Sequence, residues 1–374
     1  MYGVPLIRSD LIINGGRRID VGMTPDKKTA LLERIAAYPH AELIHRPTPL
    51  RKLERMTAEL GGPEIWIKRD DLTGLAFGGN KSRKIELIIP DIQAKRAEVV
   101  VTWASLQSNW AMQTAAACAR IGVQPVLVLF KTYDLPPEPD GNILLDLLLG
   151  AEIRFREAGR GKLVTQASAL AAAEEVAAEY RAAGKRVYVV PVGGSIPMAD
   201  MDRPFGAVAY VDAFAEMQAQ TEAAGFIPDA VVHSTGSGST QAGLIVGAKV
   251  LAPRTRVVGI SVSDPRDSFA EIVRGVVLAT ERELGTGPVT SPEDILVFDE
   301  FIKDGYGIVN REVADIIKRV FRAEGIVLDP VYTSKAFIGL IDLIERGYFK
   351  KGERIVFFHT GGTPALFPNR AFLL

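Results

Sequence analysis

The 374-residue sequence predicts an α/β fold. Short β-branched runs alternate with longer stretches rich in Ala, Leu and Glu, the order expected when parallel strands are joined by crossover helices. Several of the runs end in loops of glycine and hydroxyl residues that lead directly into a helical pattern, the position at which open parallel sheets bind ligands. A composition of 47% apolar and 24% charged residues is that of a soluble globular chain long enough for two domains, each with its own core.

Taken in order, strands are expected at 65–68 (Ile-Trp-Ile-Lys), 99–102 (Val-Val-Val-Thr), 126–130, 153–155, 187–190, 230–233, 257–261, 295–298 and 354–358. Helices are expected at 165–183 and 207–224, both rich in alanine. The four strands between 99 and 190 make one run with their helices, and the others flank it. This predicts a small α/β domain, 89–199, inserted into a large one formed by 1–88 and 200–374. The loops after 102, 233 and 358 should then meet at one cleft between the domains.

The formal net charge of -1, with no long basic run, argues against nucleic acid or a membrane surface as partner and leaves small molecules. The single cysteine, Cys118, lies in an alanine-rich run and reads as a buried structural thiol. Four histidines, His40, His45, His233 and His359, are too scattered for metal-ligand spacing, so no metal is expected. Charges at Arg8, Asp10, Arg17, Arg18 and Asp20 interrupt any leader-like apolar core, and no run approaches the roughly 18 apolar residues of a membrane span. A reducing, cytoplasmic setting is expected.

Chemistry concentrates in a few loops. In Gly78-Gly79-Asn80-Lys81-Ser82 a lysine follows a flexible glycine pair as a helical pattern begins. The positive end of a helix disfavours an ammonium, so Lys81 is placed to act as a free amine that attacks a carbonyl and forms a Schiff base. Gly74 and Gly79 have the spacing of a phosphate loop's two glycines, but Asn80 breaks the required Gly-Lys contact.

After the strand ending at His233, Gly236, Ser237, Gly238, Ser239 and Thr240 form a cup of backbone amides and hydroxyls at a helix start, suited to phosphate. It lacks the third glycine of a dinucleotide fingerprint. Ser105-Leu106-Gln107-Ser108-Asn109 offers groups for a carboxylate, and Asn109 a donor for a phenolate oxygen; read alone, Ser and Asn there are ordinary helix caps. Tyr306 and Tyr332 lie in turn settings, and Thr360 follows the last strand. An amine, a phosphate cup, a carboxylate loop, two tyrosines and a hydroxyl for a ring nitrogen together are what pyridoxal phosphate requires.

Ordered motifs over most of the chain carry a family resemblance. They run from Arg46-Pro47-Thr48-Pro49-Leu50 and Lys68-Arg69-Asp70-Asp71-Leu72-Thr73-Gly74 through Gly78-Gly79-Asn80-Lys81 and Gln107-Ser108-Asn109. Pro191-Val192-Gly193-Gly194-Ser195, the stretch from Gly236 to Thr240, Asp329 to Tyr332 and His359 to Pro364 complete them. The sequence resembles the D-cysteine desulfhydrase and 1-aminocyclopropane-1-carboxylate deaminase family of pyridoxal-phosphate enzymes, with the tryptophan-synthase-β-like fold, also called fold type II, of two open twisted parallel sheets flanked by helices.

The resemblance implies Lys81 as the residue that carries the cofactor, with Asn80 beside it, Asn109 near the phenolate oxygen, and Gly236, Ser237, Gly238, Ser239 and Thr240 round the phosphate. Gln107, Ser108, Asn109 and Trp110 are expected to face a small amino-acid substrate, and Ser108, Tyr306 and Tyr332 to act near it. It also implies a homodimer. In the deaminase branch a glutamate follows the second tyrosine and meets the pyridine nitrogen; Thr333 stands there instead, and Thr360 lies in the last glycine loop.

A hydroxyl partner leaves that nitrogen less protonated, which suits elimination. The expected reaction is α,β-elimination from D-cysteine, cysteate or chloroalanine to pyruvate and ammonia. Ring-opening deamination and cofactor binding without elimination are the alternatives. The chain departs from the family at Trp110, at Met112 and in the segment from Ile196 to Phe205, a long loop expected to lie outside the core.

Overall fold

The computed structural model describes residues 26–132, 138–159 and 164–374. The charged N-terminal stretch used above to argue against a leader lies outside them. The chain runs through α1 (Lys27–Ala36), β1 (Leu50–Lys52), α2 (Glu54–Leu60), β2 (Glu64–Lys68) and α3 (Asn80–Ala94). There follow β3 (Val99–Ser105), α4 (Asn109–Ile121), β4 (Gln124–Lys131), α5 (Gly141–Leu148), β5 (Glu152–Glu157), α6 (Gln166–Ala182) and β6 (Val187–Val190). The remainder comprises α7 (Phe205–Ala223), β7 (Ala230–Thr235), α8 (Ser239–Leu251), β8 (Arg256–Ser261), α9 (Arg266–Leu284), β9 (Leu296–Phe298), α10 (Arg311–Glu324), α11 (Thr333–Glu345), β10 (Arg354–Phe358) and α12 (Arg370–Leu373).

Two sheets result, one of order β1-β2-β10-β7-β8-β9 and one of order β5-β4-β3-β6. All pairings are parallel except β1 with β2. The central strands are apolar on both faces because helices cover both sides; Val126 to Leu129 and Ile355 to Phe358 are wholly buried. Each such side chain contributes about 1.5–3 kcal/mol on burial. Parallel register brings Phe358 beside Lys68, so the carboxyl ends of β2, β10 and β7 open on the same side, as those of β3 and β6 do in the other sheet.

Helices α7 and α8 fix the face of the larger sheet. A Cβ on Gly243 would lie 2.2 Å from the Ala207 carbonyl oxygen, so only glycine allows this approach. The 196–205 segment departs from expectation: Met201 is wholly buried and Phe205 is 5% exposed in the core. Met198 and Met201 bridge to each other, and the Asp200 carboxylate accepts from Val189 N at 2.8 Å. The segment turns inward because its two apolar side chains join the core that α3, α7 and α8 share, where the Phe205 ring packs edge-on against Tyr38. Cys118 is buried in α4, where burial pushes its thiol up to about 12, an inert structural thiol as expected.

Candidate active site

Lys81 sits in the first turn of α3, whose N-cap, Gly79, has φ 124° and no capping side chain. The preceding turn is fixed by other means. Gly79 N donates to Asp70 O at 3.0 Å and to Thr73 Oγ1 at 2.8 Å, Asn80 N donates to Thr360 O at 3.0 Å, and Gln113 Nε2 donates to Gly78 O. A Cβ at Gly79 would stand 2.9 Å from Thr360 O, so the glycine lets this turn lie against the loop after β10. The amine thereby enters a cleft of about 770 Å³. Removal from water lowers the Lys81 ammonium to about 8.

One turn on, Lys84 is wholly buried, a residue the sequence reading passed over. Its Nζ donates to Ser239 Oγ at 2.9 Å and lies 5.4 Å from the centre of the Tyr210 ring. Among the described residues neither Lys81 nor Lys84 has a carboxylate within ion-pair distance. Desolvation, and then the like charge of Lys81, hold Lys84 well below the ordinary lysine range. Ser239 is itself buried and donates to Gly193 O at 3.1 Å, so its side chain braces the cup from beneath and does not line the cleft.

The cup itself is Gly236, Ser237, Gly238 and Thr240, all on the cleft. Gly238, at φ 84°, caps α8 without a side-chain acceptor, and the first-turn amides have no intrahelical partner. Asn80 Nδ2 donates to Thr240 Oγ1 at 3.2 Å, tying the Lys81 turn to the cup. Amides, hydroxyls and a buried amine with no neighbouring anion make a site for a dianion.

The smaller sheet contributes the facing wall. Ser108 caps α4, its Oγ accepting from Trp110 N at 3.2 Å and Ala111 N at 3.3 Å. Asn109 lines the cleft and its Oδ1 accepts from Asn142 Nδ2 at 2.9 Å. Gln107 does not line the cleft, contrary to the expectation of a substrate-facing residue. Its Oε1 accepts from Asn142 N at 2.7 Å, one of the first-turn amides of α5 that lack an intrahelical partner, and its Nε2 donates to Asp140 O at 3.0 Å. Trp110 lines the wall but is 1% exposed, and its Nε1 donates to Thr102 Oγ1 at 2.8 Å, which spends its polar atom inside the core.

Tyr306 and Tyr332 meet on the wall of the cleft, sharing a hydrogen bond, and Ser105 Oγ lies 3.1 Å from the Tyr306 hydroxyl. Burial raises the Tyr306 phenol and keeps it protonated. Lys335 anchors the loop that carries Tyr306 by donating to Ile302 O and Gly305 O at 2.8 and 2.7 Å. Thr333 is withdrawn from the cleft: its Oγ1 donates to Asp329 Oδ1 at 2.7 Å. Thr360 stays, its Oγ1 3.1 Å from Ser234 Oγ. Asp264, another residue missed in sequence, lines the cleft with its carboxyl raised by burial.

The family profile described as "Pyridoxal-phosphate dependent enzyme" matches residues 41–361. The chain belongs to that family. It is 40% identical over 342 residues to a D-cysteine desulfhydrase of Yersinia enterocolitica, covering 90% of this chain and 98% of that one. A Pyrococcus abyssi protein provisionally named 1-aminocyclopropane-1-carboxylate deaminase is 38% identical over 341 residues, 91% of this chain and 96% of the other. The crystal structure of an ACC deaminase homologue superposes with a TM-score of 0.81 at 36% identity, covering 94% and 99% of the two chains. The tryptophan-synthase-β-like fold expected from the motifs is the observed one.

Pyridoxal phosphate is the cofactor of this family, and the residues present fit it. The cup offers donors to a phosphate and the buried Lys84 has no anion among the described residues, while Lys81 offers an amine to an aldehyde. Lys81, Asn80, Ser108, Asn109, Trp110, Gly236, Ser237, Gly238, Thr240, Tyr306, Tyr332 and Thr360 all line the one cleft. Gln107 does not, and Ser239 supports it from behind.

Proposed function

We propose that the protein is a pyridoxal-phosphate-dependent lyase that removes the β-substituent of a small amino acid, in the manner of a D-cysteine desulfhydrase, to give pyruvate and ammonia. D-Cysteine, cysteate and chloroalanine are the substrates to try. The observation that carries this reading is the hydroxyl pair Thr360–Ser234 on the cleft, with Thr333 tied to Asp329, so that after the second tyrosine and in the last glycine loop hydroxyls and not a carboxylate are available for the ring nitrogen.

When bound, the cofactor supplies an electron-withdrawing ring that spreads the charge left at the substrate's α-carbon. Lys81 takes the α-proton on Nζ, a task suited to an amine lowered to about 8. The α8 amides and Ser237, Gly238 and Thr240 hold the phosphate, with Lys84 bracing Ser239 behind them. Ser108 and Asn109 orient the substrate carboxylate and the ring oxygen. Tyr306, kept protonated, donates toward the departing group with Tyr332 and Ser105 aligning its hydroxyl. The buried Trp110 wall and the small domain, 89–199, close against the large one and exclude water.

The test is a spectral screen of the purified protein against D- and L-amino acids, with pyruvate and ketobutyrate measured in parallel. Pyruvate from a β-substituted amino acid is the expected result. Ketobutyrate from aminocyclopropanecarboxylate would favour the second reading, a deaminase, which the names of two of the three similar proteins support. Spectral silence with every amino acid would overturn both. A cytoplasmic homodimer goes with this reading, and a solution mass of two chains tests the pairing.

A further inference from the structure

Asn142 stands at the start of α5, outside the cleft and fully buried, and its amide settles which way round Asn109 sits. One amide corner of Asn142 lies 2.9 Å from the backbone carbonyl oxygen of Gln107. A carbonyl oxygen only accepts, so that corner must be Nδ2. The same nitrogen lies 2.9 Å from the Asn109 amide, whose facing atom must therefore be the acceptor Oδ1. Asn109 is left with Nδ2, a donor, to present to the cleft.

The arrangement is a relay of polarity that starts at a fixed backbone group and ends at the site. It is held against a local penalty, since Asn142 Oδ1 has no partner among the described residues. Gln107 locks the far side: its Oε1 accepts from Asn142 N at 2.7 Å. Asp146, one turn further along α5, is buried with neither oxygen partnered among the described residues, and burial holds its carboxyl well above the usual range, so it does not draw the Asn142 hydrogens.

We propose that Asn142 is a positioning residue that keeps Asn109 a hydrogen-bond donor toward the cofactor's ring oxygen, and so sets the pH at which the nitrogen linked to Lys81 loses its proton. The inference rests on the reading that Asn109 meets that oxygen. A donor there stabilises negative charge, which is least compensated when the linked nitrogen is unprotonated, so it lowers the pH midpoint.

The experiment is a pH titration of the holoenzyme's visible absorbance. Asn142→Asp places a carboxyl that, as an acid, donates to the Gln107 carbonyl and accepts from Asn109, turning the Asn109 oxygen into the cleft. Its midpoint is expected to rise by roughly one pH unit, tenfold in the proton affinity. Asn142→Ala, which frees Asn109 to take either orientation, should give a smaller rise of the same sign, and serves if the first variant does not fold. Asn109→Ala is the control. If it moves the midpoint while both folded Asn142 variants leave it unchanged, with only stability or cofactor affinity lowered, this inference falls and the placement of Asn109 stands. If Asn109→Ala also leaves the midpoint unmoved, the placement of Asn109 itself is wrong.

Discussion

Two faces of α3 treat buried cations in opposite ways. On one, Arg83 is wholly buried and gives Nε to Asp70 at 2.9 Å and Nη2 to Glu216 at 2.7 Å, with Lys68, Thr48 and Tyr210 completing the group. On the other, Lys84 meets the Ser239 hydroxyl and the Tyr210 ring beside the neutral His233, which burial lowers to about 4, and neither it nor Lys81 has a carboxylate partner among the described residues. A charge already neutralised by the fold secures structure. A buried amine left without an anion is a place for an anionic ligand, which the helix presents three residues from the residue that forms the covalent link.

The sharpest way to break this contrast is Lys81→Ala. Turnover is expected to fall by at least about 10³-fold and the visible absorbance to vanish, checked by initial rates and by spectra of the purified variant. Full activity would remove Lys81 from the chemistry.

Next come the two neighbours compared directly. Arg83→Met leaves Asp70 with hydroxyl donors but no cation and Glu216 with Lys68 alone, and should cost about 3–5 kcal/mol of unfolding free energy, measured by denaturant titration. Lys84→Met should leave the cofactor-free protein as stable as before, or more so, yet weaken cofactor binding roughly tenfold, the scale of one hydrogen bond, because Lys84 acts on the cup only through Ser239. Equal losses of stability in the two variants would erase the distinction between the faces.

The two faces should also respond to opposite ends of the pH scale. In the cofactor-free protein the burial penalty on Lys81 is fully present below about 8 and is relieved as pH rises toward the ordinary 10.5, because the unfolded chain still binds the proton there. Its full size is roughly 3 kcal/mol. Burial pushes the Glu216 carboxyl up, but Arg83 and Lys68 pull it down to about 2; its contribution holds above the ordinary 4.5 and is lost as pH falls toward 2. Unfolding free energies of wild type, Lys81→Met and Glu216→Gln across pH check both slopes.

The smallest expected effect is at Trp110→Phe, which removes the bond to Thr102 and should lower stability by about 1 kcal/mol while leaving KM nearly unchanged. A large change in KM with stability intact would return Trp110 to substrate contact.

Much of this was legible in the residues because local pattern and global fold agree. The strands at 99–102 and 354–358 stand out as β-branched or aromatic runs, and the loops that follow carry their glycines and hydroxyls in sequence order. β1 was not, since three residues whose burial depends on an antiparallel edge pairing with β2 leave no period to read. Lys84 looks like a solvated helix position; its burial comes from Tyr210 and Ser239, more than a hundred residues away. The placement of the Gln107 side chain was equally hidden, its partners Asp140 and Asn142 lying at the start of α5. Met201 and Phe205 are buried by a core whose other members, among them Tyr38 and the residues of α3, lie far away in the chain.

The central claim is that one buried amine of α3, and not its neighbour, forms the covalent link. Reduction of the purified holoenzyme with borohydride, followed by digestion and mass spectrometry, reads this directly. The account predicts a single pyridoxyl phosphate on the nitrogen of Lys81. The label on Lys84, on Lys335 or on no lysine at all would contradict it.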